Sequence, residues 1–315
     1  MSHANETSPL CTCPLCSAPL RAQEGARRFG QTAKRYEDCL RACDRCRVGL
    51  SNSVTKPTCI RRDWRDGLWD GASASRLRYL VSRALNEGNR ENKLRRLAHE
   101  HSEDMLTWNT FSWIEEHTLI EAVKFLADSV SGGSPRIYYW GVNERNLRWT
   151  PAFVHFLIER FHESPNRLSE PDIIIETDNT VVFVEAKFTS PNERGKSEKL
   201  DKYVSGDWAV NRSQLRAAGM YELVRNWAIG MAWTRMGRRK GRFVLVNLVR
   251  ESDERSIEEE FGALVTQNAP QRFRRVTWES LVHHVCPQLA ERFRSVTTYC
   301  RPAFPGLGSG SRPRN

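Results

Sequence analysis

Three observations on this sequence predict a mixed α/β domain preceded by a small cysteine-rich module. The first is alternation. Between residues 102 and 250, segments with apolar side chains every three or four positions are interspersed with short apolar runs of strand type. The second is clustering, since seven of the nine cysteines lie between Cys11 and Cys59. The third is composition: 315 residues, 39% hydrophobic and 27% charged, give enough apolar material for one or two globular cores.

Charge is unevenly spread. Lys and Arg total 48 against 38 Asp and Glu, a formal net charge of +10, and the first 100 residues hold 19 basic and 11 acidic side chains, so +8 of the surplus lies there. A basic leading segment points to an acidic partner such as nucleic acid, although bound thiolates would cancel part of the charge and a merely soluble basic surface is the plainer alternative. The sequence has no window of 18 apolar residues, and its first 30 residues lack an apolar signal core. Neither a membrane partner nor secretion is expected, and the protein reads as cytoplasmic. In a reducing compartment, clustered cysteines favour metal binding over disulfides.

In chain order, the first element is the cysteine module, spanning residues 1–60. Cys13 and Cys16 form one CxxC pair and Cys43 and Cys46 another, with 26 residues between them. Zinc takes four thiolates in a tetrahedron, and each CxxC turn offers two sulfurs while its backbone N–H groups steady them. A ribbon or knuckle-like zinc site follows, its plainest role being to fold a segment with little core of its own. Cys11, Cys39 and Cys59 are spare. Residues 61–100 read as a Gly-rich linker, then Leu77, Leu80, Val81, Ala84 and Leu85 at helical spacing, then a basic segment around KLRRLAHEH.

The main domain is expected over 101–300. Ser102 is an N-cap for a helix carrying Met105, Trp108, Phe111 and Ile114 and continuing through Leu119, Val123 and Leu126. Ile137 to Val142 is strand-like, and Thr150-Pro151 starts a helix with Phe153, Phe156, Leu157 and Phe161 on one face. Asp172 to Glu176 and Val181 to Lys187 form a hairpin about the polar turn TDNT. Ser213 opens one long helix with Leu215, Tyr221, Val224, Trp227 and Met231, and RFVLVNLV is a buried strand. Residues 301–315, rich in Pro, Gly, Ser and Arg, read as a flexible tail.

The hairpin carries the chemistry. Side chains two apart on a strand share a face, which pairs Glu170 with Asp172 and Glu185 with Lys187. Two ionised carboxylates ~4 Å apart repel by ~4 kcal/mol at an effective dielectric of ~20. One lysine offsets part of that, and a hard divalent cation offsets it fully. The plainer reading makes Glu185 and Lys187 a surface ladder pair and Asp172 a turn residue. Glu103 has a plain reading too, as an acid in a helix's first turn. RMGRRKGR, with Arg238, Arg239 and Lys240 at its centre, could grip phosphates or could simply be a solvated loop. The sequence contains no Walker loop, GxGxxG or HExxH motif.

These residues resemble the PD-(D/E)XK nuclease superfamily, whose fold is restriction-endonuclease-like, a mixed sheet flanked by helices. Pro171-Asp172 matches PD and Glu185-Ala186-Lys187 matches (D/E)XK, with 12 residues between Asp172 and Glu185. The resemblance covers roughly residues 100 to 250. It implies a metal-dependent endonuclease in which Asp172 and Glu185 hold magnesium or manganese, completed by Glu103 or Glu170. Lys187 would stabilise negative charge on the phosphate, and Gln214 would face the site from the following helix. DNA is the favoured substrate, with RNA open; a homodimer and a protein partner in a defence or repair system are compatible with the fold. The alternative is a zinc-containing nucleic-acid-binding or adaptor protein that does not cut.

Overall fold

The computed structural model of the protein describes residues 12–24, 33–51, 58–128, 133–145, 149–195, 198–204, 207–236, 241–268 and 270–299. The chain divides into two units. The smaller comprises Met1–Asp66, Ala98–His101 and Ala290–Asn315. Its antiparallel sheet runs in the order β1 (Arg21–Ala22), β2 (Arg41–Cys43), β3 (Val48–Leu50) and β4 (Cys59–Arg61). Strands of two or three residues bury little on their own, and cysteines supply much of the fill: Cys13, Cys43 and Cys59 pack with Val48 and Leu50, while Cys39 packs with Tyr36, Ala42 and Ile60. Gly49 is dictated by this packing, since a Cβ there would lie 2.6 Å from Cys39 Sγ.

The larger unit, Gly67–Leu97 with Ser102–Leu289, holds the mixed α/β domain. Its elements are α1 (Ala74–Arg83), α2 (Arg90–Arg96), α3 (Glu103–His117), α4 (Leu119–Ala127), β5 (Arg136–Tyr139), α5 (Trp149–Phe161), β6 (Ile173–Glu176), β7 (Thr180–Ala186), α6 (Arg212–Ala218), α7 (Tyr221–Met236), β8 (Arg242–Val249), α8 (Ile257–Gly262), β9 (Gln271–Thr277) and α9 (Trp278–Val285). The sheet order is β5-β6-β7-β8-β9. The pairings β5–β6 and β6–β7 are antiparallel, and β7–β8 and β8–β9 are parallel. Central β7 and β8 are apolar almost throughout, as strands covered on both faces must be. Phe183, Phe243, Leu245 and Ile174 share a core with Phe153 and Phe156 of α5 and Val224 and Trp227 of α7. By alternation, Glu185 and Lys187 follow Phe183 onto this same side.

Most expected elements are present, with differences that have local causes. Ser102 caps α3, its Oγ accepting from Met105 N at 3.2 Å, but the helix stops at Thr118 (φ −142°) and α4 is a separate helix. The single helix expected from Ser213 is two. Asn211, not Ser213, is the N-cap, and Gly219 (φ +76°) and Met220 (φ +52°) break the chain before α7. Gly219 is required there because a Cβ would lie 2.3 Å from the Gly195 carbonyl oxygen. Strand β9 went unanticipated: its QRFRRVT sequence buries only Phe273 and Val276.

The 61–100 segment contains the expected helical stretches, Leu77, Leu80 and Val81 on α1 and the basic residues Lys93, Arg95 and Arg96 on α2. Ile60 sits in a strand bridged to His99, whereas Leu77, Leu80 and Val81 of α1 are fully buried in the larger unit, to which α2 also belongs. Among the described residues no helix is long and apolar enough to cross a membrane. Cys11, Arg238, Arg239, Lys240 and the 301–315 tail lie outside the described residues.

Candidate active site and cysteine centre

Strand register brings the first carboxylates together. Ile173 pairs with Val184 in the antiparallel β6–β7 ladder, so Asp172 and Glu185, one step further out, stand opposite each other on one face. Asp172 Oδ2 accepts the Ala186 N–H at 2.8 Å, which ties the two strand ends. Glu185 is only 4% exposed and Lys187 9%. The Lys187 ammonium lies 2.9 Å from Glu185 Oε1 and 2.5 Å from Glu222 Oε2. From α7, one turn beyond Glu222, Asn226 Nδ2 donates to Glu185 Oε2 at 2.8 Å and the Arg225 guanidinium stands 3.8 Å from the same oxygen.

These contacts decide the charge states. Burial, then the charge of Glu185, raises the Asp172 carboxyl well above its ordinary value. Burial works against charge on Glu185 too, but Lys187, Arg225 and the Asn226 amide outweigh it and hold its pKa below the ordinary value. Lys187 is likewise desolvated, yet Glu185 and Glu222 pull it upward, so it stays an ammonium. The two opposed acids are thus pushed apart, Asp172 toward holding its proton and Glu185 toward losing it.

A second lysine acts on the charge of Asp172. Lys93 on α2, 5% exposed, donates to Asp104 Oδ1 at 2.8 Å, lies 3.5 Å from Glu170 Oε1, and sits over the Trp140 ring at 4.7 Å. Trp140 N donates to the Asp172 carbonyl and Leu85 N to the Trp140 carbonyl, which couples the end of α1 to the same strand. Glu170 thus faces Lys93 through one oxygen and accepts Asn86 N–H through the other at 2.8 Å. The expected place of Glu170 is a metal shell with Asp172; the contacts it makes are with Lys93 and Asn86. The chain is not yet in strand at residue 170, so the two-residue alternation that would align it with Asp172 does not apply.

Glu103 also does something other than expected. Its Oε1 accepts the backbone N–H groups of Phe188, Thr189 and Ser190 at 2.9, 3.3 and 3.4 Å. It therefore fixes the turn leaving Lys187, whose carbonyl accepts the Trp278 indole N–H at 3.0 Å and whose N–H donates to the Leu248 carbonyl. The acid of α3 that enters the charge cluster is its neighbour, Asp104. Gln214 is exposed in the first turn of α6, where its N–H is taken by Asn211, and the helical amide on Glu185 is Asn226 instead. Sequence reading missed Lys93, Asp104, Glu222, Arg225 and Asn226. A signal existed for the last three: a polar stripe at i, i+3 and i+4 between buried Leu223, Val224 and Trp227.

In the smaller unit, one ligand atom from each of Cys13, Cys16, Cys43 and Cys46 lies within 4.8 Å of every other. Among the described residues no other group of three or more His, Cys, Asp and Glu side chains meets that condition. Tetrahedral coordination at ~2.3 Å places sulfurs roughly 3.8 Å apart, and Cys16 and Cys43 are 3.6 Å apart. Leu15 N and Cys46 N each point at a sulfur, Cys13 and Cys43, at 3.4 Å. Hydrogen bonding from the Ala18 backbone and the neighbouring thiols lowers Cys16 to about 7, while burial pushes Cys46 up to about 12. The four could hold a metal such as zinc. Of the spare cysteines, Cys39 is pushed up to about 12 by burial and contacts the Arg35 carbonyl, and Cys59 is buried in the packing core; neither joins the four.

No protein-family model, curated protein or solved structure matches the chain. Fold and sites together define a mixed α/β protein with a buried acid–lysine cluster at one end of its central strands. A four-cysteine centre able to take a metal forms a separate feature.

Proposed function

We propose that this protein is a metal-dependent nuclease of the PD-(D/E)XK type that hydrolyses phosphodiester bonds, with DNA as substrate, and that its cysteine centre holds a structural zinc ion. The observation that carries the reading is the opposition of Asp172 and Glu185 across β6–β7 with the Lys187 ammonium on Glu185. The donor set fits magnesium or manganese: hard oxygens from two opposed carboxylates, Asp172 being raised by burial and then by the charge of Glu185. Two protein carboxylates are what magnesium commonly takes, the remaining positions going to water and substrate phosphate. When bound, the ion would polarise a phosphoryl oxygen and acidify water.

The chain's own residues do the rest. Asn226 and Arg225 orient Glu185, and the Ala186 N–H orients Asp172. Lys187, locked as an ammonium between two carboxylates, supplies fixed positive charge for the developing phosphate dianion and does not act as a base. Glu103 and Trp278 hold the Lys187 main chain so that this charge does not wander. The zinc module would contribute folding and nucleic-acid binding.

The test is to incubate the protein with supercoiled plasmid, linear duplex, single-stranded DNA and RNA, each with magnesium, manganese or EDTA. Cleavage should require the divalent ion and fall by about 10²-fold or more in Asp172→Ala, Glu185→Ala and Lys187→Ala. Cleavage that persists in all three variants would remove this site from the reaction. Binding without cutting under every condition would favour the adaptor reading.

A further inference from the structure

Lys93 occupies an unusual position: its ammonium is almost completely buried, contacts two carboxylates from different elements, and rests on an indole ring. Asp104 comes from α3 and Glu170 from the segment entering β6, so this is no local ion pair of neighbouring residues. Five carboxylates, Asp104, Glu170, Asp172, Glu185 and Glu222, are joined through Lys93, Lys187 and Arg225 into one charge system. Taken ionised, five negative charges against three positive leave two uncompensated, the charge of a single divalent ion.

Resting on the reading that Asp172 and Glu185 hold the catalytic ion, we propose that Lys93 is a built-in cation standing where a second divalent ion would otherwise bind, making this a one-ion site. The physical reason is placement. Two-ion phosphodiester sites hold their metals ~3.5–4 Å apart and share carboxylates between them. Here Asp104 and Lys93 both act on the Asp172 charge, and Asp104 and Glu170, the further carboxylates a second ion would draw on, are already bridged by the Lys93 ammonium. Its three N–H donors satisfy Asp104, Glu170 and the Trp140 π face. A lysine serves this purpose permanently, without drawing on a dissolved ion and without the dehydration a magnesium ion resists. Lys93 is in this sense a positioning residue: it keeps Asp104 and Glu170 from competing with Asp172 and Glu185 for the ion.

The experiment counts ions. Zinc-loaded full-length protein is titrated with Mn²⁺ and free Mn²⁺ is followed by its EPR signal, for the parent, Lys93→Met and Lys93→Met/Asp104→Asn. Manganese does not displace zinc from four thiolates, so the count reports the oxygen sites. One ion is expected in the parent, two in Lys93→Met, and one again in the double variant. A folded Lys93→Met that binds the parental number overturns the proposal while leaving the nuclease reading intact. A parent that binds none and a Lys93→Met that binds one supports Lys93 as a built-in cation but refutes Asp172 and Glu185 as the ion site. If Lys93→Met does not fold in EDTA, thermal melts in a Mn²⁺ series decide: recovery of a cooperative transition supports the proposal, and none at any concentration overturns it.

Discussion

Replacing Asp172 with asparagine should stabilise the metal-free protein at neutral pH. Residues directly opposed in an antiparallel pair have Cβ atoms roughly 5 Å apart, and two unit charges at ~5 Å repel by about 3 kcal/mol at an effective dielectric of ~20. Burial and Glu185 raise the Asp172 pKa, so the folded protein holds this proton to higher pH than the unfolded chain does. In the unfolded chain the same group ionises near pH 4. Between that value and the raised folded pKa, the native state holds more protons than the unfolded one, so stability falls as pH rises through the window and stays low above it. Below pH ~4 the group is protonated in both states and contributes nothing. Asparagine has no proton to lose and keeps an oxygen to accept the Ala186 N–H. The variant should gain about 1–3 kcal/mol at pH 7.5, about 2–10 °C in melting temperature for a unit of this size, and nothing below pH ~4. Calorimetric melts from pH 4 to 8 in EDTA, then with increasing manganese, measure both effects. The reasoning is refuted if Asp172→Asn melts below the parent at pH 7.5 in EDTA, or if manganese raises both melting temperatures equally.

Other variants test the remaining assignments. Glu103→Ala should cost about 1–3 kcal/mol by orphaning N–H groups of residues 188–190, and lower turnover with little change in manganese affinity; a large loss of affinity would make Glu103 a ligand. Gln214→Ala should cut at the parental rate whereas Asn226→Ala should be impaired, and equal rates in a plasmid assay would remove Asn226 from the site. Cys43→Ser should reduce zinc below one per chain by elemental analysis while the far-UV signal of the larger unit survives; undiminished zinc would point to other ligands. Any nucleic-acid affinity carried by the basic segments should weaken steeply between low and physiological salt, and binding insensitive to salt would indicate a protein partner.

Much of this architecture is local, and so could be read along the chain. Ser102 at a helix start, the Thr177–Thr180 turn and the apolar run of β8 depend on neighbours a few residues away. The same holds for the Cys13/Cys16 and Cys43/Cys46 pairs, whose spacing makes two ligands converge whatever surrounds them. Helix breaks were harder. Thr118 and Gly219 interrupt segments whose periodicity continues across the break, because the chain turns for tertiary reasons: Gly219 must let the Gly195 backbone pass.

Asp172, Glu185 and Lys187 were legible because a strand's two-residue period fixes their face and a tight turn fixes the partner strand's register. Which of two adjacent acids, Glu103 or Asp104, would turn toward Lys93 was not legible, since that depends on how α3 is rotated by the packing around it. Nor could sequence alone bring Lys93 to Glu170, 77 positions later, or Glu222 to Lys187. Periodicity acts over single turns and strand steps, whereas pairing of buried charges is settled only when distant elements close around them and exclude water. The sequence by itself determined the hairpin, its acidic and basic ends and the sulfur pairs. Tertiary packing alone decided that burial and Glu185 raise the Asp172 carboxyl, that Lys187 lies between two carboxylates, and that a second lysine joins the cluster.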